Sequence, residues 1–183
     1  VNFLGTTDNQ PLEIKVNNQR GLRLEYQRSP LTQSMNDIGG YGGNLVSPGI
    51  LGATISGGGG LNIGGDGPNR VTGEFGTVGG GYLNTSGGGY AATVGGGNHN
   101  TASGDYATVP GGASNIATNY ALAAGNRAKA VHPGSFVWAD SQNADFSSTV
   151  PNQFNVRAVG GARFETGGTG LTVDGNPVLT GTL

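Results

Sequence analysis

Polar and apolar positions alternate along this chain in short bursts, never in long runs. Leu12-Glu-Ile-Lys-Val16 sets Leu12, Ile14 and Val16 on one side and Glu13 and Lys15 on the other, the period of a half-buried strand. A turn at Asn17-Asn18 and a second run, Leu22-Arg-Leu-Glu-Tyr26, predict a β-hairpin. Phe154-Asn-Val-Arg157, a turn at Gly160-Gly161 and Ala162-Arg-Phe-Glu165 predict another. Leu171-Thr-Val-Asp-Gly-Asn-Pro-Val-Leu179 predicts a third, with Asp174-Gly175 as its turn.

Between these ends the pattern becomes a repeat. Phe75-Gly-Thr-Val-Gly-Gly-Gly-Tyr-Leu-Asn84, Tyr90-Ala-Ala-Thr-Val-Gly-Gly-Gly-Asn-His-Asn100 and Tyr106-Ala-Thr-Val-Pro-Gly-Gly-Ala-Ser-Asn115 share an aromatic, a Thr-Val pair, a glycine cluster and an asparagine. Asn69, Asn84, Asn100 and Asn115 are spaced 15, 16 and 15 apart. Val78, Val94, Val109, Ala123 and Val137 follow at 16, 15, 14 and 14. Ala53-Thr-Ile55 fits the same template, and Gly60 to Pro68 reads as an insertion. A period of 14–16 residues is too short for two helices. It suits one coil of a parallel β-solenoid: two short strands of Thr and Val joined by tight turns. The glycine clusters supply positive-φ corners, and asparagine can stack as a ladder from coil to coil.

Composition sharpens this picture. Glycine accounts for 38 of 183 residues, which argues against helices, each interior glycine costing about 1 kcal/mol relative to alanine. The clusters exclude the every-third-residue spacing of collagen. Only 11% of residues are charged while 34% are hydrophobic, unlike a disordered linker. Stacked coils lie about 4.8 Å apart, so a recurring charge would face its own copy. From residue 38 to 126 the charges are Asp66, Arg70, Glu74 and Asp105, none of them recurring in every coil. A net charge of −2 gives no footprint for nucleic acid, and no apolar run is long enough to span a membrane. There is no cysteine, hence no disulfide staple. Val1 is not an initiator methionine, so the chain reads as a fragment or processed product.

The array resembles the head repeats of trimeric autotransporter adhesins, and still more their Gly-rich variants in bacterial surface and phage-fibre-like proteins. Ala121-Leu-Ala-Ala-Gly-Asn-Arg-Ala-Lys-Ala130 and Gly134-Ser-Phe-Val-Trp-Ala-Asp140 carry the resemblance beyond the repeat itself. It implies a left-handed parallel β-roll, three chains per particle, on an extracellular fibre at a cell surface or on a virion. The trimer has a physical argument too. A coil this small leaves an apolar face uncovered, and without disulfides or metal the remaining staple is self-association. The expected organisation is an all-β homotrimer: an N-terminal hairpin cap over 1–30, Gly-rich coils over 31–140 and a C-terminal hairpin region over 141–183.

Candidate chemistry is sparse. His99 and His132 lack the spacing of a zinc site, and the acids do not recur at a calcium-repeat period, so no metal or cofactor is expected. The glycine clusters are not followed by the helix and Lys-Ser/Thr of a phosphate loop. Asp140 with Asp145, and Asp66 with Glu74, are the carboxylate pairs available for glycoside hydrolysis, and salt-bridge or turn roles suit them better. The chain is read as a non-enzyme. Tyr82, Tyr90, Tyr106 and Tyr120 are candidate sugar-stacking residues, and Thr77, Thr93 and Thr108 a candidate flat ladder. The expected function is adhesion by a trimeric fibre to host, matrix or glycan. A phage-type receptor-binding fibre is the alternative; an ice-binding solenoid and a polysaccharide-degrading enzyme rank below it.

Overall fold

A computed structural model describes residues 4–62, 65–167, 170–174 and 176–177. Among these residues every regular element is a β-strand, and the chain winds into a parallel β-solenoid of about seven coils. One wall is an 11-stranded sheet and the other a 7-stranded sheet. Through the middle of the array each coil gives two residues to each wall. Thr77–Val78, Thr93–Val94 and Thr108–Val109 belong to the first wall. Thr85–Ser86, Thr101–Ala102 and Ile116–Ala117 belong to the second. Like residues lie on like: Thr54, Thr77, Thr93 and Thr108 form one column, and Ile55, Val78, Val94 and Val109 the column beside it.

Two-residue strands leave room for one inward side chain each. The inward column of the first wall runs Ile38, Ile55, Val78, Val94, Val109, Ala123, Val137, every one of them buried. These are the aliphatic positions of the sequence period. The second wall supplies Val46, Val71, Ser86, Ala102, Ala117 and Ala130. Among the described residues nothing bulkier than isoleucine is fully buried, so the interior is a thin seam.

The turns between walls are held by asparagine. Asn44, Asn69, Asn84, Asn100 and Asn115 are buried one above another. The Asn84 side-chain oxygen accepts from the backbone N–H of Asn100 at 3.0 Å, and that of Asn100 accepts from Asn115 at 3.0 Å. Each Nδ2 donates to glycine carbonyls of its own coil and the next: Asn100 to Gly96 at 2.9 Å and to Gly112 at 2.9 Å. A buried amide left unpaired costs roughly 1–3 kcal/mol; here the ladder satisfies each one. Beside it Gly97 has φ +89°, and a Cβ there would stand 2.1 Å from the Gly112 carbonyl oxygen. The position therefore excludes every other residue.

The glycine clusters do not supply all the corners. From Phe75 to Arg127 non-glycine residues also take the left-handed conformation: Leu83, His99, Ser114 and Arg127 at one side, with φ between 55° and 63°. Phe75, Ala91, Tyr106 and Tyr120 do so at the other. His99 donates its N–H to Tyr82 of the coil before, Ser114 to Asn98 and Tyr106 to Tyr90, so ladder bonding holds a conformation that sterics disfavour.

The insertion expected at 60–68 leaves the coil as a small antiparallel pair, Leu61–Asn62 with Gly65–Asp66. Leu45–Val46 and Arg70–Val71 pair directly beneath it, so the stack is uninterrupted. At the N-terminal end β1 (Leu12–Val16), β2 (Gln19–Arg28) and β3 (Gln33–Gly39) form an antiparallel set, and β3 carries the first coil on its other edge. Asn17 and Asn18 both have positive φ, the requirement of a two-residue hairpin turn. The C-terminal end differs from expectation. Phe154–Arg157 is not half of a hairpin with 162–165; it lies parallel on Phe136–Ala139 as the last rung of the first wall. The Phe154 ring stacks on Phe136 at 4.8 Å, and Arg157 bonds Asp140, which favours the parallel register. Residues 162–165 form no strand. The rungs thus continue to Arg157, past the boundary expected at 140. Thr172–Val173 pairs antiparallel with Asn176–Pro177. Gly175, Val178 and Leu179 of the third predicted hairpin lie outside the described residues.

Candidate functional site

The tyrosines of the sequence repeat divide between two corners. Tyr90, Tyr106 and Tyr120 line one of them, and Phe75 begins the row. Ring centroids lie 5.0 Å apart for Phe75–Tyr90, 5.7 Å for Tyr90–Tyr106 and 5.5 Å for Tyr106–Tyr120. The last pair is stacked at 15° between planes and the others are tilted. The coil rise sets this spacing, so each ring covers its neighbour. A sugar stacks on an open aromatic face, and inside this row the faces are largely occupied by the row itself. Tyr120, at the end, is the most open at 66% exposed, and Gly134 takes the corresponding place in the next coil, leaving no ring above it.

Tyr82 belongs elsewhere. It sits at the opposite corner in a column with Asn98 and Ala113. Its hydroxyl donates to the Gly65 carbonyl at 3.0 Å, and its ring lies where a Cβ on Gly67 would be. Tyr41 donates to Asp66 Oδ1 at 2.6 Å, a bond that raises the Tyr41 pKa. Tyr41 and Tyr82 therefore fasten the insertion to the coils. In the sequence Tyr82 passes for a member of the row because it follows a glycine cluster; the row's true fourth member, Phe75, occupies the aromatic position of the repeat.

Thr77, Thr93 and Thr108, with Thr54, point out of the first wall and are half-buried. Farther along, this outward column becomes Leu122, Phe136 and Phe154. Trp138 and Val156 flank it, 38% and 42% exposed. The sequence does not point to this apolar surface, because Leu122, Phe136 and Phe154 do not look like the threonines whose column they continue.

The titratable groups are engaged in holding the C-terminal coils together. Asp140 Oδ2 accepts from the Val159 N–H at 2.9 Å and Oδ1 from Arg157 Nε at 2.8 Å. The Val159 bond first, then Arg157, holds this carboxyl below the ordinary aspartate range. Arg157 also donates to the Ala144 carbonyl and lies 5.4 Å from the Phe146 ring. Asp145 pairs with Arg127 at 2.8 Å. Lys129 donates to the Ser114 carbonyl, and burial lowers its pKa. His132 Nδ1 lies 3.0 Å from Ser148 Oγ, which also accepts from the backbone of Val131 and His132. His99 is exposed beside Asn98. Among the described residues no group of three or more His, Cys, Asp or Glu is placed to hold a metal ion, and no helix is long and apolar enough to cross a membrane.

No protein-family model, curated protein or solved structure matches the chain.

Proposed function

We propose that this chain is a structural and adhesive segment of a homotrimeric extracellular fibre, a left-handed roll presenting a stiff surface to host, matrix or glycan. The observation that carries this reading is the thinness of the interior. Each coil buries one small side chain per wall, aliphatic except at Ser86, while asparagine amides and backbone ladders set its shape. Such a rod resists bending and has little apolar burial of its own, which favours association with further copies. Asp140 and Asp145, the carboxylates best placed in the sequence for hydrolysis, are tied to Arg157 and Arg127 and suit a scaffold. Tyr120 is the ring of the tyrosine row most available to a ligand.

Two measurements test the proposal together. Light scattering is expected to give three times the chain mass of 18.3 kDa. Immobilised glycans and matrix proteins are expected to retain the assembled protein, with retention weakened by Tyr120→Ala. An 18.3 kDa folded species at all concentrations overturns the trimer. Failure to bind any surface in an assembled sample overturns adhesion and leaves a spacer.

A further inference from the structure

The first wall is continuous from β1 to the last rung at Phe154–Arg157. Its two surfaces exchange character at the N-terminal end. Ile38 faces the core; Arg23 pairs opposite Ile38, and Glu13 opposite Arg23. Directly opposed residues of paired strands project on the same side. The core-side surface of β1 and β2 therefore carries Glu13, Arg23 and Glu25, which are joined by ion pairs. The outward surface carries Leu12 paired with Leu24, and Tyr26 paired with Met35. Met35 is 51% exposed. A half-solvated antiparallel sheet normally turns its polar side to water. Here the outward side is the apolar one.

The opposite end of this outward surface is apolar too, with Phe154 70% exposed beside Trp138 and Val156. Between the ends runs the threonine column, headed by the exposed Asp37, which lies between Leu24 and Thr54 and is followed by no further charge through Thr108. We propose that this outward surface of the first wall, from Met35 to Phe154, is where copies of the chain meet. This assignment rests on the self-association proposed above and adds the surface that performs it. The occupant follows from shape. The ten in-line strands of this wall, about 4.8 Å apart and averaging about four residues, make a face on the order of 600 Å² in projection. Side-chain relief adds to that, and a standard interface takes about 800 Å² from each partner. A small ligand would cover one apolar end and leave the other wet. A second copy has the same length, the same coil spacing and the same apolar–threonine–apolar sequence along its face, and closed symmetry repeats the match. The segment Leu4–Gln10 crosses only the N-terminal end, leaving a cavity of about 520 Å³ against Leu12, Leu24, Tyr26 and Met35.

Trp138, the single tryptophan, lies on this surface and reports on it without mutation. In the assembled protein its fluorescence is expected to be shielded from iodide. Dilution to 18.3 kDa is expected to expose it. A paired variant, Met35→Lys with Phe154→Lys, is expected to run at single-chain mass with its β circular-dichroism signal intact. Leu45→Lys with Thr101→Lys, on the outside of the second wall, is expected to keep the parent mass. An assembled parent in which iodide quenches Trp138 as fully as in the single chain overturns this surface while leaving self-association standing. So does a Met35/Phe154 variant that stays assembled. A parent that is a single chain throughout overturns both.

Discussion

Asn84 and Asn100 stand one above the other in adjacent coils, and the backbone N–H of Asn100 donates to the Asn84 side-chain oxygen at 3.0 Å. That contact, repeated along the stack, makes the array a chain of interdependent rungs. Asn100→Ala removes a buried acceptor for Asn115 and part-buried donor bonds to Gly96 and Gly112. A loss of about 2–4 kcal/mol is expected by urea unfolding. Asn98→Ala, on the exposed side of the same turn, should fall within about 0.5 kcal/mol of the parent. Equal effects would show that the buried ladder is unimportant.

Neighbouring glycines should respond in opposite directions. Gly97→Ala forces a Cβ against the Gly112 carbonyl at positive φ, and a cost above about 3 kcal/mol or failure to fold is expected. Gly96 has open space and no positive φ, so Gly96→Ala should be neutral or stabilise by up to about 1 kcal/mol. Thermal melts of the two variants decide the point.

Left-handed corners held by residues with a Cβ carry a relievable cost. Ala91→Gly and Ser114→Gly, at φ 51° and 57°, are each expected to raise stability by about 1 kcal/mol. Ala92→Gly, one residue along and buried in the core, should lower it. A fall in all three would mean that the corners are not strained.

Acid should weaken the C-terminal coils through Asp140. Its folded pKa lies below the unfolded value, chiefly through the Val159 N–H and Arg157. The charged form therefore stabilises the fold above the ordinary value of 3.8, and that contribution disappears as pH falls through the lower folded value. Asp140→Asn should be less stable than the parent at neutral pH, with the gap closing in acid. A gap that stays constant with pH would assign the effect to packing.

Much of the coil architecture is legible in the residues themselves. The Thr-Val pairs at 14–16-residue spacing mark the rungs, because a two-residue strand has one inward and one outward position. The buried asparagines are equally plain, since their period matches the valines. Arrangements that do not repeat were illegible. Phe154–Arg157 alternates like a hairpin strand, and only the Phe136 ring and the Asp140 carboxylate beneath it draw it into the parallel stack. Tyr82 resembles the other tyrosines, yet the insertion above it determines its partner.

The period alone sufficed for the all-β class, the parallel stacking and the inward column, because those depend on local strand and turn preferences summed over many coils. Glycine at one residue in five marks the turns, although the fold also gives left-handed corners to Leu83, His99, Tyr106 and their equivalents. Which rings meet, which carboxylates are neutralised and which surface is left apolar were decided by tertiary structure. Each depends on what lies one coil away, a distance of about 4.8 Å in space and some fifteen residues along the chain.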